Sequence, residues 1–287
     1  MNVETARVLS QTGYAGAYNV LVLKAPKISA SIKPGQFVYL LIPRLVDAVL
    51  RRPFSVFKTK GKTISILYKC VGRGTHALKS VSAGEEISLL GPLGNGFPMP
   101  DGKVLSVLVA GGYGAAPLRF LAERMPLKGL VFMGGADAKD ILCENEFKKS
   151  GWKVHVATEN GSRGKKGLVT DILDSWLDRR DNRTTPEIFA CGPNGMLKAV
   201  GKRAAKYGFK AWLSLEKHMG CGVGACLACV QKVRLSDGTE TWKRVCRDGP
   251  VFEAKEIVWG LERFFDRMDR INRMVGIEES LNRRSRR

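Results

Sequence analysis

The chain of 287 residues reads as a multi-domain α/β and β protein: an N-terminal antiparallel β-barrel, a doubly wound parallel-sheet domain and a cysteine-stapled C-terminal module. Three observations predict this. Short apolar runs broken by turn residues fill the first hundred positions, apolar strands alternate with helical stretches from Lys103 onward, and four of the seven cysteines crowd between Cys221 and Cys246. The length also exceeds what one core of about 100–150 residues usually holds. The expected divisions are residues 1–100, 101–210, 211–256 and 257–287.

In the first division the runs Tyr18–Leu23, Phe37–Ile42, Phe54–Phe57, Ile64–Tyr68 and Ile87–Leu90 have the length and spacing of barrel strands. Lys33-Pro34-Gly35 and Ser82-Ala83-Gly84 read as turns, and Thr75–Ser80 as a short helix. In the second division Val104–Ala110, Leu130–Met133, Val154–Ala157 and Ile188–Ala190 read as buried strands. Between and after them, helical spacing marks Pro117–Arg124, Glu144–Lys149, Val169–Leu177 and Gly195–Tyr207. Strands alternating with helices imply a parallel sheet covered on both faces.

From Trp212 the cysteine segment is followed by Val230–Leu235 and Trp242–Cys246 around Ser236-Asp237-Gly238, a hairpin signal. Val258, Leu261, Phe265, Met268, Ile271 and Val275 recur every three or four residues, so Ile257–Val275 is expected to be an amphipathic helix that caps its own domain or packs on a partner. Arg283-Arg284-Ser285-Arg286-Arg287 reads as a basic tail.

Composition narrows the class. Hydrophobic residues are 44% and charged residues 26%, which excludes disorder and fibrous repeats. No apolar run approaches the ~18–20 residues of a membrane span, and Met1 to Thr12 lacks the pattern of a secretory signal, so a cytoplasmic protein is expected. The formal charge of +20, from 47 Lys and Arg against 27 Asp and Glu, favours polyanions without choosing among nucleic acid, an acidic protein and phosphate-bearing molecules.

The cysteines are more specific. Cys221 and Cys226 are separated by four residues, Cys226 and Cys229 by two, and Cys229 and Cys246 by sixteen, the plant-ferredoxin type of spacing for a [2Fe–2S] cluster. Three thiolates from one tight loop need small neighbours so that backbone amides can turn toward sulfur, and Gly222, Gly224, Ala225 and Ala228 supply them. The alternative is a structural zinc site, but zinc ribbons usually pair two short knuckles, and here the last ligand is solitary.

Gly111-Gly112-Tyr113-Gly114 follows a strand and opens a helix, where tight turning and helix-end amides suit a pyrophosphate. Glycine after a strand also serves packing alone. Cys191-Gly192-Pro193, after the fourth strand and leading to Met196-Leu197, sharpens the reading. Arg52-Pro53-Phe54-Ser55 offers an arginine for a diphosphate and a hydroxyl for a ring nitrogen, and Gly72-Arg73-Gly74-Thr75 offers backbone amides.

In this order the motifs resemble the ferredoxin reductase superfamily. Gly91-Pro92-Leu93-Gly94-Asn95-Gly96-Phe97, Ser214-Leu215-Glu216, Cys221-Gly222-Val223-Gly224-Ala225-Cys226 and Asp248-Gly249-Pro250-Val251-Phe252 resemble, within it, the electron-transfer subunits of NAD-linked dihydroorotate dehydrogenases, over about residues 5–255. The resemblance implies FAD in the barrel, NAD (with NADP possible) in the middle domain, a [2Fe–2S] cluster held by Cys221, Cys226, Cys229 and Cys246, and a partner catalytic flavoprotein, an FMN-containing dihydroorotate dehydrogenase. It implies that Arg52, Pro53, Phe54 and Ser55 hold the isoalloxazine and diphosphate, Leu67, Tyr68 and Lys69 the ribityl side, and Gly74 and Thr75 the phosphates. Gly111, Gly112 and Gly114 would border the dinucleotide, with Cys191 and Gly192 near its reactive ring. No side chain needs to act as a general base; no membrane or nucleic-acid partner is expected.

Three features depart from the pattern: Tyr113 stands where a smaller aliphatic residue is usual, Phe54 replaces a Tyr, and the chain beyond Val258 is longer than such a subunit needs. Asp137 is a further position that could accept the adenosine ribose hydroxyls. His76, His155 and His218 are isolated and read as structural or surface residues, and Cys70 and Cys143 as small buried ones. Two other functions fit. A diaphorase subunit of a ferredoxin:NADP transhydrogenase or hydrogenase complex would carry the same modules with another partner, and a redox-responsive nucleic-acid binder would explain the charge and the Arg tail.

Overall fold

The computed structural model describes residues 1–45, 49–100, 104–181 and 183–260. The N-terminal part comprises β1 (Asn2–Ala15), β2 (Tyr18–Lys24), α1 (Pro26–Ser29), β3 (Phe37–Leu40), β4 (Arg52–Ser55), β5 (Lys58–Lys60), β6 (Thr63–Lys69), α2 (Arg73–Lys79) and β7 (Glu86–Leu93). Its seven strands lie in the order β4-β3-β7-β1-β2-β6-β5, all neighbours antiparallel. The sheet curls, so that Phe54 on β4 meets Tyr68 on β6 edge-on with ring centroids 5.9 Å apart.

Two strands carry no apolar run and were not expected from the sequence. In β1 the inward series is Glu4, Ala6 and Val8, and the buried Glu4 carboxylate accepts the amides of Lys27 (3.1 Å) and Ile28 (3.0 Å) at the start of α1. A carboxylate used this way satisfies helix-end donors but erases the hydrophobic alternation. The edge strand β5 is Lys-Thr-Lys, the composition that discourages further pairing.

The second sheet follows with β8 (Leu105–Gly111), α3 (Ala115–Arg124), β9 (Leu130–Gly135), α4 (Glu144–Lys149), β10 (Lys153–Thr158), β11 (Lys165–Lys166), α5 (Val169–Leu177), β12 (Pro186–Cys191), α6 (Asn194–Tyr207) and β13 (Lys210–Ser214). The hairpin β14 (Val230–Arg234) and β15 (Glu240–Arg244) and the strand β16 (Val251–Glu253) complete the strands and α-helices among the described residues. Strand order is β11-β10-β9-β8-β12-β13-β16, parallel except where β16 meets β13. Successive side chains of β8 feed opposite cores: Val107 and Val109 pack with Leu173 of α5 and Leu197 of α6, while Leu108 and Ala110 pack with Leu118 of α3 and Phe147 of α4. Helices therefore cover both faces, as a parallel sheet requires.

The expected division at residue 210 falls at the start of β13, which is a full member of this sheet. Because β13 and β16 pair with each other, residues 215–250 are an excursion between two adjacent strands rather than an appended module. Ile257 bridges to Val233, and the Val258 amide donates to the Lys232 carbonyl at 3.0 Å, so this stretch lies along the hairpin and is not helical. The rest of the expected helix, from residue 261, and the basic tail lie outside the described residues.

Candidate functional site

The loop after β13 carries three of the four clustered cysteines, and Cys246 stands in the turn after β15 rather than on a strand. Gly222 (φ +72°), Gly224 (φ +86°) and Leu227 (φ +59°) adopt the left-handed conformation that folds the loop back on itself. Amides of Ala225 (3.2 Å), Val223 and Cys226 (both 3.4 Å) converge on the Cys221 sulfur, and the Cys246 amide meets the Cys229 sulfur at 3.3 Å. Against the upward pull of partial burial, the amides of Cys226, Val223 and Ala225 hold the Cys221 thiol down to about 6. Burial and the neighbouring Cys229 push Cys246 up to about 12.

The Cys221 thiol interacts with that of Cys226, and the Cys246 thiol with that of Cys229. Among the described residues no three His, Cys, Asp or Glu side chains converge on one point, as a single metal ion would need. Two sulfurs per iron and amides aimed at sulfur are what a binuclear iron–sulfur cluster takes, so these residues fit that group better than zinc.

The barrel supports this loop directly. Tyr39 of β3 is buried, and its hydroxyl donates to the carbonyls of Met219 (2.9 Å) and Gly220 (3.0 Å). Tyr39 lies opposite Pro53 in the β3–β4 register, which puts the Arg52–Ser55 strand next to the strand that holds the cluster loop. Nothing in the apolar run Phe37–Ile42 marks this tyrosine; its role is visible only in three dimensions.

Arg52 to Ser55 are all half-buried on β4, and Phe54 faces Tyr68 across the curl. Arg52 donates to the carbonyls of Leu50 (2.8 Å) and Arg51 (3.2 Å) and has no carboxylate partner among the described residues. Its guanidinium runs beside the start of α2, where its Nε is 3.5 Å from the position a Cβ on Gly74 would take. The Thr75 hydroxyl accepts the amides of Val71 (2.9 Å) and Gly72 (3.1 Å), fixing the turn. An unpaired cation beside a turn at a helix start suits a diphosphate. Lys69, by contrast, is engaged at the domain boundary: its ammonium meets the Asp140 carboxylate at 3.1 Å, which also accepts from the Tyr18 hydroxyl at 2.6 Å.

Strand order reverses beside β8, with β9 on one side and β12 on the other, so the crevice at their carboxyl ends is where a doubly wound domain takes its ligand. Gly111 to Gly114 and Cys191 to Pro193 meet there. A Cβ on Gly111 would press on Pro193 and Met196, and one on Gly114 would collide with the Cys191 carbonyl. These glycines serve the close approach of two loops; Gly112, at φ +52°, turns the chain. Desolvation pushes the Cys191 thiol up to about 12, against a hydrogen bond with Ser214.

Of the other residues, Asp137 caps its own turn by accepting the Lys139 amide at 2.7 Å. His155 stacks on Phe132 with ring centroids 5.0 Å apart, and His76 and His218 are exposed. Cys143 is buried as expected, but Cys70 is only half-buried, accepting from the Asn19 amide group at 3.3 Å.

Comparison with known proteins agrees with this geometry. Residues 216–258 match the iron-sulfur cluster binding domain of dihydroorotate dehydrogenase B, and residues 108–202 an oxidoreductase NAD-binding domain. The chain is 37% identical over 262 residues to the dihydroorotate dehydrogenase B (NAD(+)) electron transfer subunit of Desulforamulus reducens, covering 88% of this chain and 97% of that protein. It is 38% identical over 259 residues to the subunit of the same name from Bacillus velezensis, covering 87% and 96%. The chain belongs to the family of dihydroorotate dehydrogenase B electron transfer subunits. Among solved structures it resembles one described as the NADH-dependent reduced ferredoxin-NADP oxidoreductase involved in flavin-based electron bifurcation, with a TM-score of 0.78 and 28% identity over 97% of this chain and 98% of that one. A ferredoxin reductase of carbazole 1,9a-dioxygenase, with a TM-score of 0.61 and 21% identity over 72% and 66% of the two chains, shares the fold.

Proposed function

We propose that this chain passes electrons between NAD(H) and the catalytic flavoprotein subunit of a dihydroorotate dehydrogenase, using FAD and a [2Fe–2S] cluster. The observation that carries the reading is the contact between modules: one barrel strand holds the cluster loop through Tyr39, and its cross-strand neighbour is the Arg52–Ser55 strand. Bound FAD would link two-electron exchange with a nicotinamide to one-electron exchange with the cluster.

The residues then divide their work. Arg52, with the turn at Gly74 and Thr75, binds and neutralises the flavin diphosphate, while Pro53, Phe54, Ser55, Leu67 and Tyr68 shape the wall along its ring and ribityl chain. Lys69 is held by Asp140 and orients the nucleotide domain against this wall. Gly111, Gly112, Gly114, Cys191 and Gly192 border the dinucleotide, and Cys221, Cys226, Cys229 and Cys246 hold iron. No side chain is required to move a proton from carbon.

The test is purification under anaerobic conditions. The protein should carry flavin and about two iron atoms per chain, reduce a dye with NADH, and co-purify from its host with an orotate-forming flavoprotein. Absence of both flavin and dye reduction would end this reading. The second reading, a diaphorase subunit of a ferredoxin:NADP transhydrogenase, draws on the likeness to the bifurcating oxidoreductase; a co-purifying partner of that class would select it. Among the described residues no helix is long and apolar enough to cross a membrane, and we place the complex in the cytoplasm.

A further inference from the structure

The three strand ends at the switch point are aligned: Ala110 of β8, Cys191 of β12 and Ser214 of β13 stand side by side in the register. Tyr113 follows Ala110 by three residues and Glu216 follows Ser214 by two. The Tyr113 hydroxyl donates to the Glu216 carboxylate at 2.7 Å. Neighbouring strands are about 4.8 Å apart, so a bond from beyond β8 to beyond β13 must pass over the end of β12, where Cys191 and Gly192 lie.

The backbone beneath this bond is fixed. Gly111 is packed on Pro193 and Met196, Gly114 on the Cys191 carbonyl, and neither position has room even for a methyl group. Tyr113 is the one side chain that leaves the loop Gly111-Gly112-Tyr113-Gly114, and its ring is half exposed. Cys191, at the end of β12 that the bond crosses, is half-buried. The backbone of the loop is closely packed at Gly111 and Gly114, whereas the half-exposed Tyr113 side chain has room to turn.

Resting on the dinucleotide site proposed above, we infer that Tyr113 and Glu216 form a latch across the mouth of that site, which a nicotinamide ring must open to reach Cys191. Tyr113 is thereby a positioning residue that sets dinucleotide affinity: part of the binding free energy is spent on breaking its hydrogen bond. Removing the hydroxyl lowers that cost, and removing the ring clears the mouth.

The experiment uses the holoprotein with FAD and cluster in place, wild type against Y113F and Y113V. NAD⁺ is titrated while the flavin absorption is followed, and separately the rate of iodoacetamide alkylation at Cys191 is measured by peptide mass spectrometry. Y113F should bind NAD⁺ several-fold more tightly and Y113V about tenfold, a tenfold change corresponding to about 1.4 kcal/mol. Alkylation of Cys191 should accelerate in the order wild type, Y113F, Y113V, and NAD⁺ should slow it in all three. Unchanged or weaker NAD⁺ binding in both variants, or an unchanged alkylation rate, overturns the latch. A wild-type protein that does not bind NAD⁺ refutes the dinucleotide reading instead, and the alkylation series without NAD⁺ still decides whether Tyr113 covers Cys191.

Discussion

Gly222→Ala tests the joint between barrel and cluster loop most sharply. Gly222 has φ +72°, and a Cβ there would lie 2.5 Å from Cδ1 and 2.6 Å from Cε1 of the Tyr39 ring. The left-handed backbone costs an alanine about 1–2 kcal/mol, and forcing a methyl against a buried ring costs typically about 1–3 kcal/mol more. Tyr39 cannot swing away without surrendering its bonds to Met219 and Gly220. The total expected loss is about 2–5 kcal/mol, concentrated in the loop that carries Cys221. Gly238→Ala is the control, because Gly238 has φ +86° with nothing within 4 Å of the added atom, so it suffers only the backbone cost of about 1–2 kcal/mol. Iron and flavin per chain, and the thermal midpoint of the near-ultraviolet circular dichroism, report both effects. Gly222→Ala should lose iron while keeping flavin and melt several degrees below Gly238→Ala. Equal midpoints with full iron in both would refute the claim that Tyr39 clamps the loop.

Three further outcomes follow from the same geometry. Arg52→Ala should shed flavin during gel filtration while the stability of its flavin-free form changes by about 1 kcal/mol or less, since Arg52 has no ion-pair partner to strand among the described residues; retention of stoichiometric flavin would remove the diphosphate assignment. Cys226→Ser should abolish the cluster absorption and leave flavin in place, and a full iron count in that variant would dismiss Cys226 as a ligand. Asp140 is partly buried, which raises its carboxyl, but hydrogen bonds from Tyr18 and Lys69 outweigh this and hold it below the ordinary carboxylate range. Its contribution to stability is therefore complete above the unfolded value of about 3.9 and fades as pH falls toward the lower folded value. Asp140→Asn should destabilise the protein at pH 7 and flatten its melting profile as pH falls below about 4; a variant with the wild-type acid profile would show that the carboxylate is not so held.

Much of this arrangement was legible in the linear chain wherever one physical signal dominated. The helices at Glu144–Lys149 and Val169–Leu177 and the hairpin around Asp237-Gly238 stand where periodicity and turn chemistry put them. The cysteine spacing pointed to a binuclear site, and the sulfur pairs and converging amides agree with it. What stayed hidden are elements whose reason is non-local. The strand β1 looks polar because Glu4 points inward to serve the amides of α1. The strand β13 begins with Lys210 and was divided between two expected domains, although it completes a sheet started a hundred residues earlier. Tyr39 and Tyr18 read as ordinary apolar positions, because a hydroxyl's partner 180 or 122 residues away leaves no local trace. Glycines were legible as a loop but not as to purpose: what forbids a side chain is Pro193 and Met196 at Gly111 and the backbone of Cys191 at Gly114.

The placement of the cluster segment between β13 and β16 has a mechanical consequence. An appended module on a linker would leave the distance between cluster and flavin to the linker's conformational spread. Here both ends of the excursion are strands of the nucleotide sheet, paired through Trp212 with Glu253, Leu213 with Phe252 and Ser214 with Val251. The Leu215 amide donates to the Pro250 carbonyl at 2.8 Å, closing the base of the excursion. The excursion is also held to the barrel, by Tyr39 at Met219 and Gly220 and by Asn95, whose amide donates to the Gly249 carbonyl and whose side chain donates to the carbonyls of Asp248 (3.1 Å) and Arg247 (3.4 Å). The barrel is in turn tied to the nucleotide domain by Tyr18 and Lys69 at Asp140 and by the Tyr14 hydroxyl at Glu146 (2.7 Å). The three modules thus form a closed ring of contacts in which no pair can separate without breaking a bond to the third. Electron exchange falls steeply with distance, so such a ring holds constant one of the quantities on which passage between the sites depends.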